Sequence, residues 1–157
     1  MIIRGVLLRF LEKVGLLEVK PRLILDDMGI LLNVEYAFDF KRLYRVCGVK
    51  FRIPKDTFLL LLSREIVKLP PFLSGLVLLR SRWAREGLLM PPTKVDSGFR
   101  GKLVFEVYAC RECIIDFNQP FAQLTLSLAM PPWRYEGVYQ HQGAFRLSVY
   151  KFLEENY

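Results

Sequence analysis

The chain has 157 residues, of which 52% are hydrophobic and 25% charged, so it is long and apolar enough for one sizeable core and is not disordered. Its formal net charge of +7 favours an anionic partner, but the basic residues are dispersed, which argues against a nucleic-acid-binding tail. No apolar run reaches the ~20 residues that span a bilayer, and the N-terminus lacks the order of a signal peptide. We therefore expect a single domain over residues 1–157, cytoplasmic and without a membrane partner.

An amphipathic helix is predicted over residues 4–14. The apolar residues at helical spacing are Val6, Leu7, Phe10, Leu11 and Val14. Charged residues occupy the other side. Gly15 is the expected stop, because glycine readily adopts the left-handed conformation that ends many helices.

After the helix, the pattern changes to short apolar runs that are typical of strands. We predict strands near 23–25, 30–38, 42–46, 57–62, 65–68, 75–79, 102–109, 113–117, 121–128 and 145–150. Proline and glycine fall in the connections, where strands tolerate them. Many short strands with turn signals between them indicate a mainly β sandwich, barrel or jelly roll.

The three cysteines predict no complete metal site. Cys110 and Cys113 form one C-x-x-C pair, which is half of a zinc site, and no second pair completes it within the chain. The pair also lacks the strand-to-helix setting of a thioredoxin motif. We expect structural thiols, and the sequence leaves a disulfide between Cys110 and Cys113 open.

Two carboxylates lie ten positions apart in "VDSGFRGKLVFEV" (95–107). Asp96 begins a predicted turn, since aspartate and Gly98 both suit tight turns. Alternation along the following strand places Phe105 on one face and Glu106 on the other, together with Lys102. On the strand alone, the simplest interpretation of Glu106 is a solvent-facing carboxylate paired with Lys102.

Two further segments have residues suited to binding a nucleotide. In "LLRSRWAREGL" (78–88), arginines and a serine lie close together, and guanidinium and hydroxyl donors suit phosphate oxygens. In "RYEGVYQHQGAF" (134–145), tyrosines alternate with glutamines and glycines. Such a segment either closes over a ligand or is an ordinary polar loop.

In this order, these segments resemble the dCTP deaminase and dUTPase superfamily, and its dCTP deaminase branch more closely. "VDSGFRGKLVFEVY" resembles that branch's "IDPGFxGxxxLExxN", and "LLRSRWAREGL" resembles its "GRSSLARLGL". "FNQPFAQLTL" resembles "PGMxIGQLxF", and "YEGVYQHQG" resembles "YxGKYQxQ". The opening helix and "VGLLEVKPR" also resemble the start of that branch.

The resemblance implies a distorted jelly-roll or β-barrel of the dUTPase-like type with a short N-terminal helix. It implies a homotrimer whose active sites lie between subunits. The ligand would be a deoxypyrimidine nucleoside triphosphate, with Mg²⁺ bound through its phosphates and without zinc, and no nucleic acid would be involved.

Catalytic roles follow from the same resemblance. Glu106 matches the general base that activates water for attack at C4 of cytosine, and Arg85 matches the arginine that orients the water and the glutamate. Ser81 matches the serine that helps hold the water and a phosphate. Asp96 matches a motif aspartate, which activates water at the α-phosphate in dUTPases and otherwise lies near the deoxyribose.

Nucleotide-binding roles are implied for a larger set. Its members are Arg80, Ser81, Arg82, Asp96, Gln123, Tyr135, Tyr139 and Gln142. Arg82 replaces the second serine of the family's Arg-Ser-Ser, and Val138 replaces a lysine expected to reach the triphosphate. The connection "LLMPPTKVD" is also about two residues shorter than usual.

Three functions are compatible with these matches and departures. The first is a dCTP deaminase that supplies dUMP for thymidylate synthesis, with or without release of pyrophosphate. The second is a dUTPase, which would use Asp96 but leave Glu106 without a role. The third is a nucleotide-sensing protein with weakened catalysis, favoured by Val138 and the short connection.

Overall fold

The computed structural model describes residues 2–137 and 139–141, which are mainly β. The helices are α1 (Gly5–Lys13) and α2 (Ser81–Arg85). The strands are β1 (Glu18–Lys20), β2 (Leu25–Asp26), β3 (Gly29–Leu32), β4 (Val34–Phe38), β5 (Leu43–Arg45), β6 (Lys50–Ile53), β7 (Thr57–Lys68), β8 (Leu73–Leu79), β9 (Leu88–Leu89), β10 (Thr93–Val95), β11 (Arg100–Ala109), β12 (Cys113–Asp116) and β13 (Ala122–Leu128). The mainly β prediction is confirmed. Neither helix in the described ranges is long and apolar enough to cross a membrane.

Two larger antiparallel sheets share one hydrophobic core. The first has the strand order β10-β8-β13-β3-β2, and the second has the order β5-β4-β7-β11-β9 with β1 also paired to β7. A small sheet joins β12 to β6. The core contains Val77, Leu124 and Leu126 from the first sheet and Leu61, Val67, Phe105 and Val107 from the second. Inward-facing apolar residues alternate with outward-facing ones, as expected of a sandwich.

The predicted strand over 30–38 is divided between the two sheets. Strands β3 and β4 are separated by Asn33, whose backbone N–H and side-chain amide donate to Glu65 at 2.8 and 2.9 Å. Because Asn33 and Glu65 are both buried, their polar groups satisfy each other at the crossing between sheets. The sequence pattern gives no sign of this break, because the residues on both sides of Asn33 are apolar.

The predicted strands over 57–62 and 65–68 form one strand, β7. The polar residue Ser63 at their boundary is buried and stays within the strand. Its hydroxyl accepts the Leu103 N–H at 2.8 Å and donates to the Glu65 carbonyl at 2.7 Å, where the pairing of β11 with β7 shifts register. A side chain thus replaces part of the backbone pairing.

The N-terminal helix is confirmed, but a different set of its residues is buried. The helix ends with Gly15 at φ +75°, and the N–H of Leu16 donates to the Leu11 carbonyl, as in a Schellman motif. The buried residues are Gly5, Leu8 and Leu11, whereas Val6 is 84% exposed and Phe10 57% exposed. The helix therefore leaves much of its predicted apolar side uncovered within the described chain.

Short elements are the main omissions of the sequence prediction. Strands β1, β6, β9 and β10 and helix α2 were not predicted, since each has at most five residues and little room for a periodic signal. The predicted strand over 145–150 lies outside the described residues. All three cysteines are free thiols, and burial raises the pKa of Cys113.

Candidate functional site

The turn that begins β11 carries Asp96 at the surface. The Phe99 N–H donates to the Asp96 carbonyl at 3.1 Å, and Gly98 has φ +74°, a value that favours glycine. The predicted turn is therefore present. The Asp96 carboxylate forms an ion pair with Lys94 at 2.7 Å, and its side chain is 42% exposed.

Glu106 lies on the outer face of β11. The predicted alternation holds, because Leu103, Phe105 and Val107 are buried while Glu106 is half-buried on the opposite face. Its carboxylate accepts one long hydrogen bond, from the Thr93 hydroxyl at 3.4 Å. Lys102 pairs with Glu35 on β4, so the simplest interpretation of Glu106 as a partner of Lys102 is wrong.

The surroundings of Glu106 are apolar and partly open. Leu60 lies opposite Glu106 on β7, and the next position of β11, on the same face, is Tyr108, which lies between Phe58 and Leu89. Phe58 is 41% exposed, Tyr108 38% and Leu89 58%. In the described part of the chain, Glu106 has no salt-bridge partner. The Glu106 carboxylate therefore keeps acceptor capacity that no described basic side chain uses.

Helix α2 presents its polar residues to solvent because Trp83 anchors it. The Trp83 ring is 2% exposed, stacks on Phe121 with centroids 6.4 Å apart, and donates its indole N–H to the Pro120 carbonyl at 2.9 Å. Trp83 therefore fills the core rather than the site. Ser81 and Arg85 are both exposed on the opposite side of the helix.

Arg82 has partners of its own within the chain. Its guanidinium donates to the Gln119 side chain and lies 4.9 Å from the centroid of the Trp83 ring. The Arg82 guanidinium is therefore engaged by Gln119 and by the face of the Trp83 ring. A contact between Arg82 and a phosphate would have to replace or share these interactions.

Arg80 and Gln123 meet at a third residue, Asp26. The Gln123 amide donates to the Asp26 carboxylate at 2.6 Å, and the Arg80 guanidinium lies 3.7 Å from the other carboxylate oxygen. Sequence reasoning identified Arg80 and Gln123 but missed Asp26. No local motif marks Asp26, since it is brought to them by strand pairing from 97 positions away from Gln123.

The segment 134–141 is fastened to the Asp96 turn. The Tyr135 N–H donates to the Ser97 carbonyl at 2.8 Å, and the Tyr135 ring lies 6.1 Å from that of Phe99. Gln140 donates to the carbonyls of Gly98 and Tyr135 at 3.0 and 2.9 Å and accepts the Arg100 N–H at 2.7 Å. Gln140, which the sequence prediction omitted, therefore holds the segment in place.

Of the other predicted residues in this segment, the structure describes Tyr139 but not Gln142. Tyr139 is half-exposed, and its backbone N–H donates to the Tyr135 hydroxyl at 3.4 Å. Gln142 lies outside the described residues, as does Val138. Their predicted roles therefore stay predictions.

A cavity of about 470 Å³ adjoins the fastened segment. Its walls combine apolar residues with four basic side chains. The basic residues are Lys68, Arg100, Arg134 and His141. Tyr135, Gln140 and Gly98 also line the cavity, so one predicted nucleotide-binding residue faces it. Arg100, Arg134 and His141 lie inside the quoted segments but at positions to which the resemblance gives no role, and Lys68 lies outside those segments.

The structure thus places the predicted residues at three positions. Tyr135 is bonded to Ser97, the neighbour of Asp96; Arg80 and Gln123 share Asp26; and Glu106 is bonded to Thr93, which the sequence analysis did not include. Within the described residues, Glu106 forms no hydrogen bond or ion pair with Ser81 or Arg85. No cluster of three or more His, Cys, Asp or Glu side chains in the same ranges is placed to bind a metal ion.

Comparison with known proteins finds sequence similarity to dCTP deaminases. A family model described as dCTP deaminase-like matches residues 32–128. The dCTP deaminase of Pyrobaculum calidifontis is 39% identical over 107 residues, which are 66% of this chain and 61% of that protein. The chain therefore spans about three-fifths of the length of this relative.

Solved structures show the same fold at lower sequence identity. The 2′-deoxycytidine 5′-triphosphate deaminase of Agrobacterium tumefaciens superposes with a TM-score of 0.69 at 12% identity, covering 82% of this chain and 48% of that chain. The EIAV dUTPase superposes with a TM-score of 0.56 at 20% identity, covering 78% and 99% respectively. The expected dUTPase-like fold class is confirmed.

Proposed function

Since the chain belongs to the dCTP deaminase-like family, we propose that it hydrolyses dCTP to dUTP and ammonia. The similarity to the dCTP deaminase of Pyrobaculum calidifontis supports this proposal. The observation that carries it is Glu106, a half-buried carboxylate on an apolar face whose one hydrogen-bond partner among the described residues is Thr93. A dUTPase reaction at the α-phosphate would leave this carboxylate unused.

In the proposed reaction, Glu106 acts as general base. It takes a proton from water, the resulting hydroxide adds to C4 of cytosine, and the C4–N4 bond then breaks. As the hydroxide adds, Glu106 passes the proton that it took to N3 of the ring. It then takes the proton of the added hydroxyl and gives it to the leaving nitrogen, which departs as ammonia while the C4 oxygen becomes the carbonyl of uracil. Arg85 orients the water and Ser81 helps to hold it.

The remaining predicted residues bind the nucleotide. Arg80 and Ser81 contact the triphosphate, which is taken up with Mg²⁺ bound to its phosphate oxygens, and Gln123 lies beside Arg80. Asp96 lies near the deoxyribose, and Tyr135, which is bonded to the neighbouring Ser97, belongs to the segment that closes over the nucleotide. Tyr139 and Gln142 belong to the segment that closes over the ligand.

The active enzyme is a homotrimer whose sites are formed between subunits. Two features support this. Among the described residues, Glu106 forms no hydrogen bond or ion pair with Ser81 or Arg85, and the face around Glu106 exposes Phe58, Leu89 and Tyr108. Burying these three residues against a neighbouring subunit would remove apolar surface from water, and a shared site would need that subunit's α2 near Glu106. The enzyme acts on the cytoplasmic nucleotide pool, and its product leads to dUMP for thymidylate synthesis.

The test compares wild-type protein with Glu106→Gln. Each is incubated with dCTP and, separately, with dUTP in the presence of Mg²⁺, and ammonia and pyrophosphate are measured. Wild type is expected to release ammonia from dCTP, and Glu106→Gln to lose this by at least about a hundredfold, because glutamine cannot accept the proton. Retained binding of dCTP by Glu106→Gln would show that only the chemistry was removed.

The same assay decides the alternative activities. Pyrophosphate from dUTP alone, insensitive to Glu106→Gln and abolished by Asp96→Asn, would replace the deaminase with a dUTPase. Ammonia and pyrophosphate together from dCTP would identify a bifunctional enzyme that yields dUMP. Tight binding without either product would identify a nucleotide sensor.

A further inference from the structure

Asp26 joins the two residues assigned to the triphosphate. One carboxylate oxygen accepts the Gln123 amide at 2.6 Å and the Met28 N–H at 3.0 Å. The other oxygen lies 3.7 Å from the Arg80 guanidinium, and the Asp26 and Arg80 side chains are 38% and 37% exposed. Hydrogen bonds therefore fix the Asp26 carboxylate, while the Asp26 and Arg80 side chains stay partly exposed to solvent.

The position of Asp26 is fixed by the first sheet and by helix α1. Arg80 follows the end of β8, Gln123 lies on β13 opposite Leu78, and Asp26 pairs with Gly29 in the β2–β3 hairpin. The hairpin is in turn attached to α1, because the Gly5 N–H donates to the Asp27 carbonyl at 3.2 Å. Strand pairing in the first sheet therefore brings the three side chains together.

We infer that Asp26 is a positioning residue that holds the Arg80 guanidinium and the Gln123 amide ready to bind phosphate. The inference rests on the proposed function only in taking the anion to be the nucleotide's triphosphate. Arginine has five N–H donors and glutamine has two. One interaction each with Asp26 leaves donors on both side chains for an anion.

The benefit of Asp26 is orientation before the ligand arrives. Arginine and glutamine lose considerable rotamer freedom when they bind an anion, and a partner that already restricts them reduces this loss. The carboxylate also repels phosphate, which acts in the opposite direction. We expect orientation to prevail, because the Arg80 guanidinium balances the charge of Asp26 and solvent screens the remainder.

The test measures binding of inorganic tripolyphosphate by calorimetry at fixed salt. Asp26→Ala is expected to bind tripolyphosphate about fivefold more weakly than wild type, as loss of one charge-assisted interaction implies. Asp26→Asn should lose less, because its amide oxygen still accepts from Gln123 and Met28. The matched control is Asp27→Ala, since Asp27 pairs with Arg4 at 2.9 Å and makes no contact with Arg80; this variant should bind like wild type.

Two further measurements separate positioning from a general structural role. For dCTP, Asp26→Ala should raise KM by the same factor while kcat stays within about twofold, since Asp26 does not reach the base. In an Arg80→Ala background, Asp26→Ala should weaken tripolyphosphate binding much less than it does in wild type, because Arg80 is one of the two groups that it holds. Thermal unfolding confirms that each variant is folded, and Asp26→Asn serves if Asp26→Ala is not.

The inference is overturned if Asp26→Ala binds tripolyphosphate as tightly as wild type or more tightly. It is also overturned if Asp27→Ala loses as much affinity, or if wild type binds no tripolyphosphate. A protein that shows the expected binding pattern but releases no ammonia would keep the positioning role and refute the deaminase. A deaminase whose KM is unchanged by Asp26→Ala would refute the positioning role alone.

Discussion

Glu65 and Glu106 lie on neighbouring strands of one sheet but have different surroundings. Glu65 is 2% exposed, and both of its carboxylate oxygens accept hydrogen bonds from Asn33. Glu106 is half-buried and accepts one long bond, from Thr93. The Glu65 carboxylate is thus used within the fold, whereas Glu106 keeps free acceptor capacity, as its proposed role requires.

The partners of charged side chains were harder to predict than the strand faces on which those side chains lie. Alternation along β11 correctly separated Phe105 from Glu106, because it depends only on the two-residue period of a strand. It could not identify Glu35 as the partner of Lys102, since the two are 67 positions apart and meet only through strand register. Asp26 and Gln140 were missed for the same reason.

Glu65 predicts a specific pH dependence of stability. Burial raises its pKa above the ordinary value of 4.5, although the bonds from Asn33 oppose this. A raised folded-state pKa contributes stability that is complete below pH 4.5 and is lost as the pH rises through the raised value. The free energy of unfolding of wild type, relative to that of Glu65→Gln, should therefore fall as the pH rises.

Urea unfolding of both proteins between about pH 4 and pH 8 measures this difference. The matched control is Glu112→Gln, which removes an exposed carboxylate that pairs with Arg52 at 2.7 Å and so separates the effect of burial from that of losing a carboxylate. Parallel curves for wild type and Glu65→Gln would contradict the prediction.

The β2–β3 hairpin packs closely against α1 and β13 at two glycines. Gly5 of α1 approaches the hairpin so closely that a Cβ there would lie 2.6 Å from the Asp26 carbonyl oxygen. Gly29 of β3 approaches β13 in the same way. Sequence patterns predicted the helix and most of the long strands, whereas these contacts depend on pairings that join distant parts of the chain.

Gly29→Ala is expected to destabilise the protein by about 2–3 kcal/mol, as overpacking against immobile atoms does. The new Cβ would meet the Leu124 carbonyl oxygen at 2.3 Å, and backbone in a paired strand cannot move aside. At Gly75, the nearest atoms are the ends of the Leu124 and Leu126 side chains, which can rotate. Gly75→Ala should therefore cost less, and equal losses in chemical denaturation would contradict the argument.

At the scale of the whole molecule, one chain holds the parts of the proposed site separately. Glu106 lies on the second sheet, whereas Ser81 and Arg85 lie on α2 at the end of β8 in the first sheet. The sequence predicted these residues through motifs, but motifs carry no information on which copy of the chain supplies each one. That assignment requires a measurement on mixed assemblies.

Glu106→Gln and Arg85→Ala, each inactive alone, should regain ammonia release from dCTP when co-expressed. In a trimer with shared sites, about a quarter of the sites in an equal mixture would combine an intact Glu106 from one subunit with an intact Arg85 from its neighbour. Sedimentation should show a mass about three times 18.4 kDa. A trimer without recovered activity would place both residues in the same subunit's site.

Gln140 links the Asp96 turn to the residues around Tyr135 through hydrogen bonds. Hydrogen bonds join Gln140 to Gly98 and Arg100, and Tyr135 to Ser97, so neither part separates until these bonds break together. We therefore expect this region to open cooperatively. A ligand that contacts Asp96 or Tyr135 should then stabilise both.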